Sequence, residues 1–109
     1  MIVLPFPPSA LSGHAKGHWR PKSRLTKKWR GWAHAATLEA KARVPAEGDI
    51  RLEVRFYPPD RRSDRANFMN RMKPIFDGIA DALKVNDSRF VPVPVYCEPE
   101  KPGRVEIHL

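Results

Sequence analysis

The residues best suited to chemistry in this 109-residue chain are an aspartate and a lysine set among arginines. The stretch RRSDRANFMNRMKPIFD, residues 61–77, surrounds Asp64 with basic side chains and then reaches Lys73. Hydrolysis of a phosphodiester with magnesium needs carboxylates that hold the metal and a cation that neutralises developing negative charge. A nuclease must carry these carboxylates inside a positive surface. The basic neighbours of Asp64 therefore favour phosphodiester chemistry, and they are Arg61, Arg62, Arg65 and Arg71.

A second carboxylate, Asp87, lies in the turn NDSR, after a segment that is predicted to be helical. Taken singly, each candidate residue also has an ordinary structural explanation. Asp64 could cap a helix, and Asp87 could serve only its turn. Lys73 and Asp77 could form an exposed pair four residues apart, which contributes little to stability. The residue types alone leave both interpretations open.

Positive charge is concentrated in the first third of the chain. The net charge is +8, from 20 basic and 12 acidic residues, yet residues 1–38 contain no acid. A field of this kind attracts polyanions, most often nucleic acid, and Trp19 could stack on exposed bases. The residues expected to contact phosphate are Lys16, Arg20, Lys22, Arg24, Lys27 and Lys28, with Arg61, Arg62 and Arg65 in the later block.

The composition predicts one soluble domain over residues 1–109. Hydrophobic residues make up 41% of the chain, and no apolar run reaches membrane-spanning length. Cys97 is the only cysteine, which excludes an intramolecular disulfide. The N-terminal sequence lacks the charged and apolar regions of a signal peptide, so a cytoplasmic location is expected.

Apolar periodicity predicts an α+β fold with the order β-α-β-α-β-β and a mixed or antiparallel sheet. A basic loop is expected over residues 9–25, which contain two glycines, one proline and basic residues without periodicity. The third strand should lie at an edge because its prolines cannot donate hydrogen bonds. The predicted strands are MIVLPF, IRLEVRFY, FVPVPVYCE and RVEIHL, with the fourth paired to the third.

Two helices are predicted to cover one face of this sheet. The first is expected over residues 26–43, with Trp29 and Trp32 in its buried face. The second is expected over residues 67–84, where the apolar residues follow a helical stripe. Pro74 conflicts with a continuous helix, because an interior proline removes a hydrogen bond. Either the regular helix begins near Lys73, or it kinks at Pro74.

The length of the second predicted helix has a geometric consequence. A continuous helix over residues 67–84 would hold its two ends roughly 25 Å apart. Asp64 and Asp87 could then share a metal within one protomer only if the helix were shorter or the flanking loops folded back. Antiparallel pairing of two chains would bring Asp64 of one protomer toward the partner's Asp87. This arrangement predicts a homodimer with active sites near its interface.

Taken together, these segments resemble the RusA family of Holliday-junction resolvases, which are small magnesium-dependent endonucleases often carried by prophages. LPFPPS is similar to the family's first strand, and PDRRSDRAN to its arginine-rich block leading into Asp-x-Asp-Asn. KPIFDGIADALKVND is similar to its helix and paired-acid turn. The resemblance covers nearly the whole chain. It implies a RusA-like homodimer that acts on branched DNA with Mg²⁺ or Mn²⁺ and no small-molecule cofactor.

The resemblance also assigns roles to individual residues. Asp64 matches the first aspartate of the family's Asp-x-Asp, and Asp87 matches the second acid of its turn, so both are expected to bind the metal. Lys73 matches the catalytic lysine, expected to stabilise the phosphate or the leaving oxygen. Asn67 matches the asparagine after the motif and is expected at the DNA.

Two positions depart from the family pattern. Ala66 stands where the second aspartate is expected, and Asn86 replaces the first acid of the turn. Loss of a carboxylate from a three-carboxylate site lowers metal affinity or rate. Asp77 and Asp81 are candidates to replace the missing ligand.

The function predicted from the sequence is a magnesium-dependent, structure-selective endonuclease that resolves Holliday junctions in recombination and repair. One alternative is a catalytically impaired junction-binding protein on the same fold, because of Ala66. A small basic RNA-binding protein is the other, since it would explain the charge but not the aspartates among arginines.

Overall fold

The structure, a computed structural model, describes residues 1–12 and 19–109, with the side chains from residue 23 onward in the second range. Two α-helices cover one face of a four-stranded mixed sheet, which confirms the predicted α+β class. None of the helices in the described part of the chain is long and apolar enough to cross a membrane. The elements are β1 (Ile2–Pro5), α1 (Trp19–Glu39), β2 (Ile50–Tyr57), α2 (Lys73–Leu83), β3 (Phe90–Tyr96) and β4 (Arg104–His108).

The strands lie in the order β1-β4-β2-β3. β4 is antiparallel to both β1 and β2, whereas β3 pairs in parallel with β2. The predicted pairing of the last two strands is therefore wrong. Val105 and Ile107 of β4 are fully buried, which suits a central strand, whereas Pro92 and Pro94 cannot donate to a second neighbour. The edge position of β3 is confirmed.

The strict alternation in β2 places its apolar side chains toward the helices. Leu52, Val54 and Phe56 are fully buried, while Arg51 lies exposed on the opposite face of the sheet. This alternation is the period of two expected for a strand that is covered on one side only. The core therefore lies between β2, β4 and the two helices.

α1 begins at Trp19, so the predicted basic loop over residues 9–25 is wrong for residues 19–25. Pro21 lies in the first turn of the helix, where a missing N–H removes no intrahelical bond. Trp29 is buried as predicted, but Trp32 is 41% exposed, so its assignment to the core is wrong. Trp32 instead packs edge-on against Trp29, with centroids 5.1 Å apart.

α2 is shorter than predicted and begins at Lys73, with Pro74 in its first turn. The preceding residues 65–67 and 69–71 form two single turns of 3-10 helix instead. Of the two interpretations of Pro74, the one in which the regular helix begins near it is confirmed. Lys84, with φ 56°, ends the helix in the left-handed region. The premise of a long helix separating Asp64 from Asp87 is therefore wrong.

Gly78 brings α2 into close contact with α1. A Cβ atom at this position would lie 2.2 Å from the backbone oxygen of Arg30 and 2.8 Å from Cβ of Ala33. An ion pair joins the same two helices, with Nε of Arg30 2.7 Å from Oδ2 of Asp81. Only glycine allows the two backbones to approach this closely.

We expect Gly78→Ala to destabilise the protein by ~1–3 kcal/mol, because the new methyl group must push the helices apart. Helix propensity alone would predict the opposite sign, a gain of up to ~1 kcal/mol. Gly31→Ala is the matched control, because it lies in α1 with nothing within 4 Å of an added Cβ. Urea unfolding of both variants checks the prediction, and stabilisation by Gly78→Ala would contradict it.

Candidate functional site

Lys73 holds two carboxylates together at the start of α2. Its Nζ lies 2.8 Å from Oδ1 of Asp77 and 2.6 Å from Oδ2 of Asp87. Asp77 lies one turn further along the same helix, whereas Asp87 follows the helix in a 3-10 turn. The chain after α2 therefore turns back until Asp87 reaches the first residue of the helix. We call these three residues the Lys73 cluster.

Backbone contacts hold the turn that presents Asp87. The side chain of Asn86 accepts a hydrogen bond from the backbone N–H of Ser88 at 2.9 Å and so caps the turn. Arg89 donates to the carbonyl oxygens of Pro45 and Gly48, at 2.6 and 2.7 Å. Asn86, which departs from the family pattern, thus has a structural role as a cap.

The Lys73 cluster is charged at neutral pH. The hydrogen bonds that Lys73 donates to Asp77 and Asp87 raise the pKa of Lys73, and the one it donates to Asp87 lowers the pKa of Asp87. The stabilisation from Asp87 is therefore present at neutral pH and is lost as the pH falls through its lowered pKa. That from Lys73 is lost as the pH rises through its raised pKa. The side chains are partly exposed, so solvent weakens both effects.

Arg30 adds a second cation beside this cluster. Its guanidinium makes two hydrogen bonds to Asp81, and the charges of Asp77 and Asp87 also raise its pKa. The same pair lowers the pKa of Asp81. Asp81 is thus neutralised by a bidentate partner, whereas Asp77 shares a single ammonium with Asp87. Of the two candidates for the missing ligand, Asp77 is the one that lies with Asp87.

Asp64 lies outside the Lys73 cluster. Its carboxylate accepts a hydrogen bond from the backbone N–H of Ala66 at 3.0 Å and caps the turn Arg65–Asn67. Among the residues that the structure describes, no hydrogen bond or ion pair joins it to Lys73, Asp77 or Asp87. The structure therefore brings together three of the four predicted catalytic or metal-binding residues. Asp64 takes the ordinary capping role.

Asp77 and Asp87 have the donor chemistry of a divalent metal site. Both oxygens that converge on the Lys73 ammonium belong to carboxylates, the ligands that magnesium prefers. Magnesium often takes only one or two carboxylates and completes its shell with waters and phosphate oxygens. Within residues 1–12 and 19–109, no group of three or more acidic, histidine or cysteine side chains is arranged to hold a metal. The chain thus fits a two-carboxylate site in which Lys73 competes with the metal.

Most of the predicted DNA-contacting residues are exposed. Arg61 is ion-paired with Glu98, and Arg62 lies 3.9 Å from the carboxylate of Asp60. Lys28 lies over the ring of Trp32, with Nζ 4.6 Å from its centroid. Arg24, Lys27, Arg65 and Asn67 are exposed, Lys16 lies outside the described residues, and the side chains of Trp19, Arg20 and Lys22 also lie outside them.

Two arginines at the site were missed by sequence reasoning. Arg30 was counted only as part of the basic segment, and Arg89 only as part of a turn. Arg30 contacts Asp81 51 positions away, and Arg89 contacts Gly48 41 positions away. No local spacing in the sequence signals such contacts.

We expect Asp87→Asn to lower the pKa of Lys73, because the carboxylate stabilises the protonated ammonium. The measurement is a pH titration followed by NMR of ¹³Cε-labelled lysine. Asp81→Asn is the matched control, since Asp81 is bonded to Arg30 and not to Lys73. An unchanged pKa in Asp87→Asn would show that the ion pair does not persist in solution.

Comparison with known proteins identifies the family of this chain. The family model described as endodeoxyribonuclease RusA matches residues 5–109. A protein of Xylella fastidiosa (strain Temecula1 / ATCC 700964), named only as an uncharacterized protein, is 41% identical over 98 residues. That alignment covers 86% of this chain and 64% of the relative's own length. Because the family match extends over nearly the whole chain, the resemblance found in the sequence is confirmed, and the chain belongs to the RusA endodeoxyribonuclease family.

Proposed function

We propose that this chain is a metal-dependent, structure-selective endonuclease that resolves Holliday junctions and related branched DNA in recombination and repair. The observation that carries the proposal is the Lys73 cluster, in which one lysine lies against Asp77 and Asp87 on the exposed side of α2. Membership of the RusA family supports the same chemistry, because nucleases of this family generally depend on a divalent metal. A cytoplasmic location is part of the proposal.

Asp77 and Asp87 are the residues that would hold Mg²⁺ or Mn²⁺. A divalent cation bound there supplies a Lewis acid for phosphodiester hydrolysis. Asp77 then takes the place of the carboxylate lost at Ala66. Asp64 remains a proposed third ligand that a second chain would supply, since none of the described hydrogen bonds or ion pairs joins it to the Lys73 cluster within one chain.

Lys73 would change partners when the metal binds. In the structure its ammonium is shared by two carboxylates and offsets one of their two negative charges. A divalent cation held by Asp77 and Asp87 would supply the second positive charge that a single ammonium lacks. The released Lys73 can then contact a phosphate oxygen and offset the negative charge that develops there. The ordinary lysine pKa of about 10.4 keeps a released Lys73 protonated at neutral pH.

Arginines and lysines around the site would bring in the DNA. Arg62 and Arg65 flank Asp64 and are exposed, and Lys27 and Lys28 are exposed on α1. Contacts of this type go to phosphates, so they position the DNA without reading its sequence. They also make the affinity fall steeply with salt. Selection of a branched structure would then come from the arrangement of the basic surface.

Ala66 specifically favours a second candidate, a junction-binding protein that no longer cleaves. The methyl group of Ala66 offers no metal ligand, and Asn86 is committed to capping its turn. A site reduced to two carboxylates binds metal more weakly than one with three. Junction binding would survive this loss because it depends on the basic residues.

Nicking of a labelled four-way junction with Mg²⁺ or Mn²⁺ tests the proposal. We expect paired symmetric nicks from the unmodified protein and a loss of at least ~100-fold in Asp87→Asn, since a charged metal ligand is removed. Glu39→Gln at the end of α1 is the control for loss of a carboxylate, because Glu39 has no ion pair in the described part of the chain.

Ala66→Asp separates the two candidates in the same assay. An active site that uses Asp77 should cleave without this change. Tight junction binding with nicks only in Ala66→Asp would establish the non-cleaving junction binder instead. A protein that binds duplex DNA of equal length as well as the junction would contradict both candidates.

We also propose a homodimer, because a two-fold axis suits the paired nicks made in a four-way junction. Sedimentation equilibrium at micromolar concentration should give twice the chain's mass of 12.5 kDa. The length of α2 does not support this proposal, so the support comes from the two-fold symmetry of the paired nicks. A monomer at that concentration would contradict it.

A further inference from the structure

Arg71 carries a positive charge into the protein interior. The residue is 8% exposed, and its guanidinium lies over the rings of Phe6 and Phe68, 5.7 and 5.3 Å from their centroids. Nη1 donates a hydrogen bond to the carbonyl oxygen of Pro7 at 3.1 Å. Among the described residues, this is the one hydrogen bond that the guanidinium makes.

No carboxylate balances this buried charge in the described part of the chain. Nε of Arg71 is buried without a hydrogen-bond partner. Burial lowers the pKa of Arg71, and no acidic neighbour acts against that effect. Buried polar groups are normally satisfied, and an unpaired buried cation is costly. Such a residue is suited to an anion that comes from outside the chain.

A cavity of about 320 Å³ lies directly at Arg71. It is formed between the segment that follows β1 and the segment that follows β2, and Ser9, Arg62 and Ser63 supply further donors in its wall. Asp60 is the one acid among the lining residues. Its carboxylate accepts from the backbone N–H of Arg62 at 2.9 Å and also faces the Arg62 side chain, so it leaves Arg71 unpaired.

We propose that this cavity binds a phosphate group, with Arg71 as its buried anchor and Ser9, Ser63 and Arg62 as additional donors. Guanidinium groups bind phosphate through two parallel hydrogen bonds, and aromatic rings on Arg71 hold its plane in place. None of the residues in the Lys73 cluster lines this cavity, so it is separate from the proposed metal site. The proposal that this cavity binds phosphate therefore does not depend on the proposed metal site.

The source of the phosphate rests on the proposed function. If the protein grips branched DNA, the group is a backbone phosphate that lies beside the segment carrying Asp64. If it does not, the same cavity would hold a small phosphate-bearing anion. These two sources are distinguished by separate arms of one experiment.

The first arm is a titration with inorganic phosphate, followed through the backbone amide NMR signals of Ser9, Arg62 and Ser63. We expect saturable shifts in the unmodified protein and affinity at least ~10-fold weaker in Arg71→Met, because a charged hydrogen-bond donor is removed. Arg51→Met, which removes the same charge from the open face of the sheet, should leave the affinity unchanged. Absence of saturable shifts, or equal binding by Arg71→Met, overturns the proposal.

Arg71→Lys is the second variant, in case Arg71→Met does not fold. It keeps the positive charge and loses only the planar guanidinium group. Its phosphate affinity should lie between that of the unmodified protein and that of Arg71→Met. Unmodified affinity in Arg71→Lys would overturn the role given to the guanidinium.

The second arm measures four-way junction affinity as a function of salt. Loss of one phosphate contact in Arg71→Met should reduce the slope of log K against log salt by about 0.9. If the unmodified protein binds phosphate in the first arm and Arg71→Met leaves the slope unchanged in the second, the ligand is a small anion. Because the first arm contains no DNA, failure of the proposed nuclease function does not affect it.

Discussion

Close packing of the two helices at Gly78 sets how near the charged residues of α1 lie to those of α2. Because α2 approaches the backbone of α1 at Arg30, the Arg30 side chain reaches Asp81. The opposite end of α2 then carries Lys73 at its first residue, where the chain that returns from the helix brings in Asp87. A larger residue at Gly78 would move Asp81 away from Arg30. The Lys73 cluster itself lies within α2 and the turn after it, so it would move with α2 as a unit.

Positive and negative charges are balanced differently in two neighbouring parts of the molecule. In the Lys73 cluster, one ammonium is shared by two carboxylates, so the local charge is negative and attracts a cation. At Arg71, a guanidinium is buried without a carboxylate, so the local charge is positive and attracts an anion. Arg71 and Lys73 are two residues apart in the sequence. Arg71 precedes α2, and Lys73 is the first residue of that helix.

Much of the fold was predictable because it follows local periodicity. The alternation in β2, the prolines of β3 and the apolar stripe of α2 each identified an element and its exposed side. Errors arose where a local signal has two meanings. Pro21 indicates a loop in most contexts but is tolerated in the first turn of a helix. α1 therefore begins at Trp19, seven residues before the predicted start at residue 26. The pairing of β4 was missed because adjacency in sequence does not fix the neighbours of a strand.

By itself the sequence determined the family, the residue types of the site and the presence of Lys73 and Asp87. These depend on motifs and on charge, which can be read along the chain. Only the tertiary structure decided which carboxylates meet, since Asp77 joins Asp87 while Asp64 caps its own turn. It also decided that Arg71 is buried without an acid. Both outcomes depend on the path of the chain after α2 and on packing between distant segments, which no local spacing encodes.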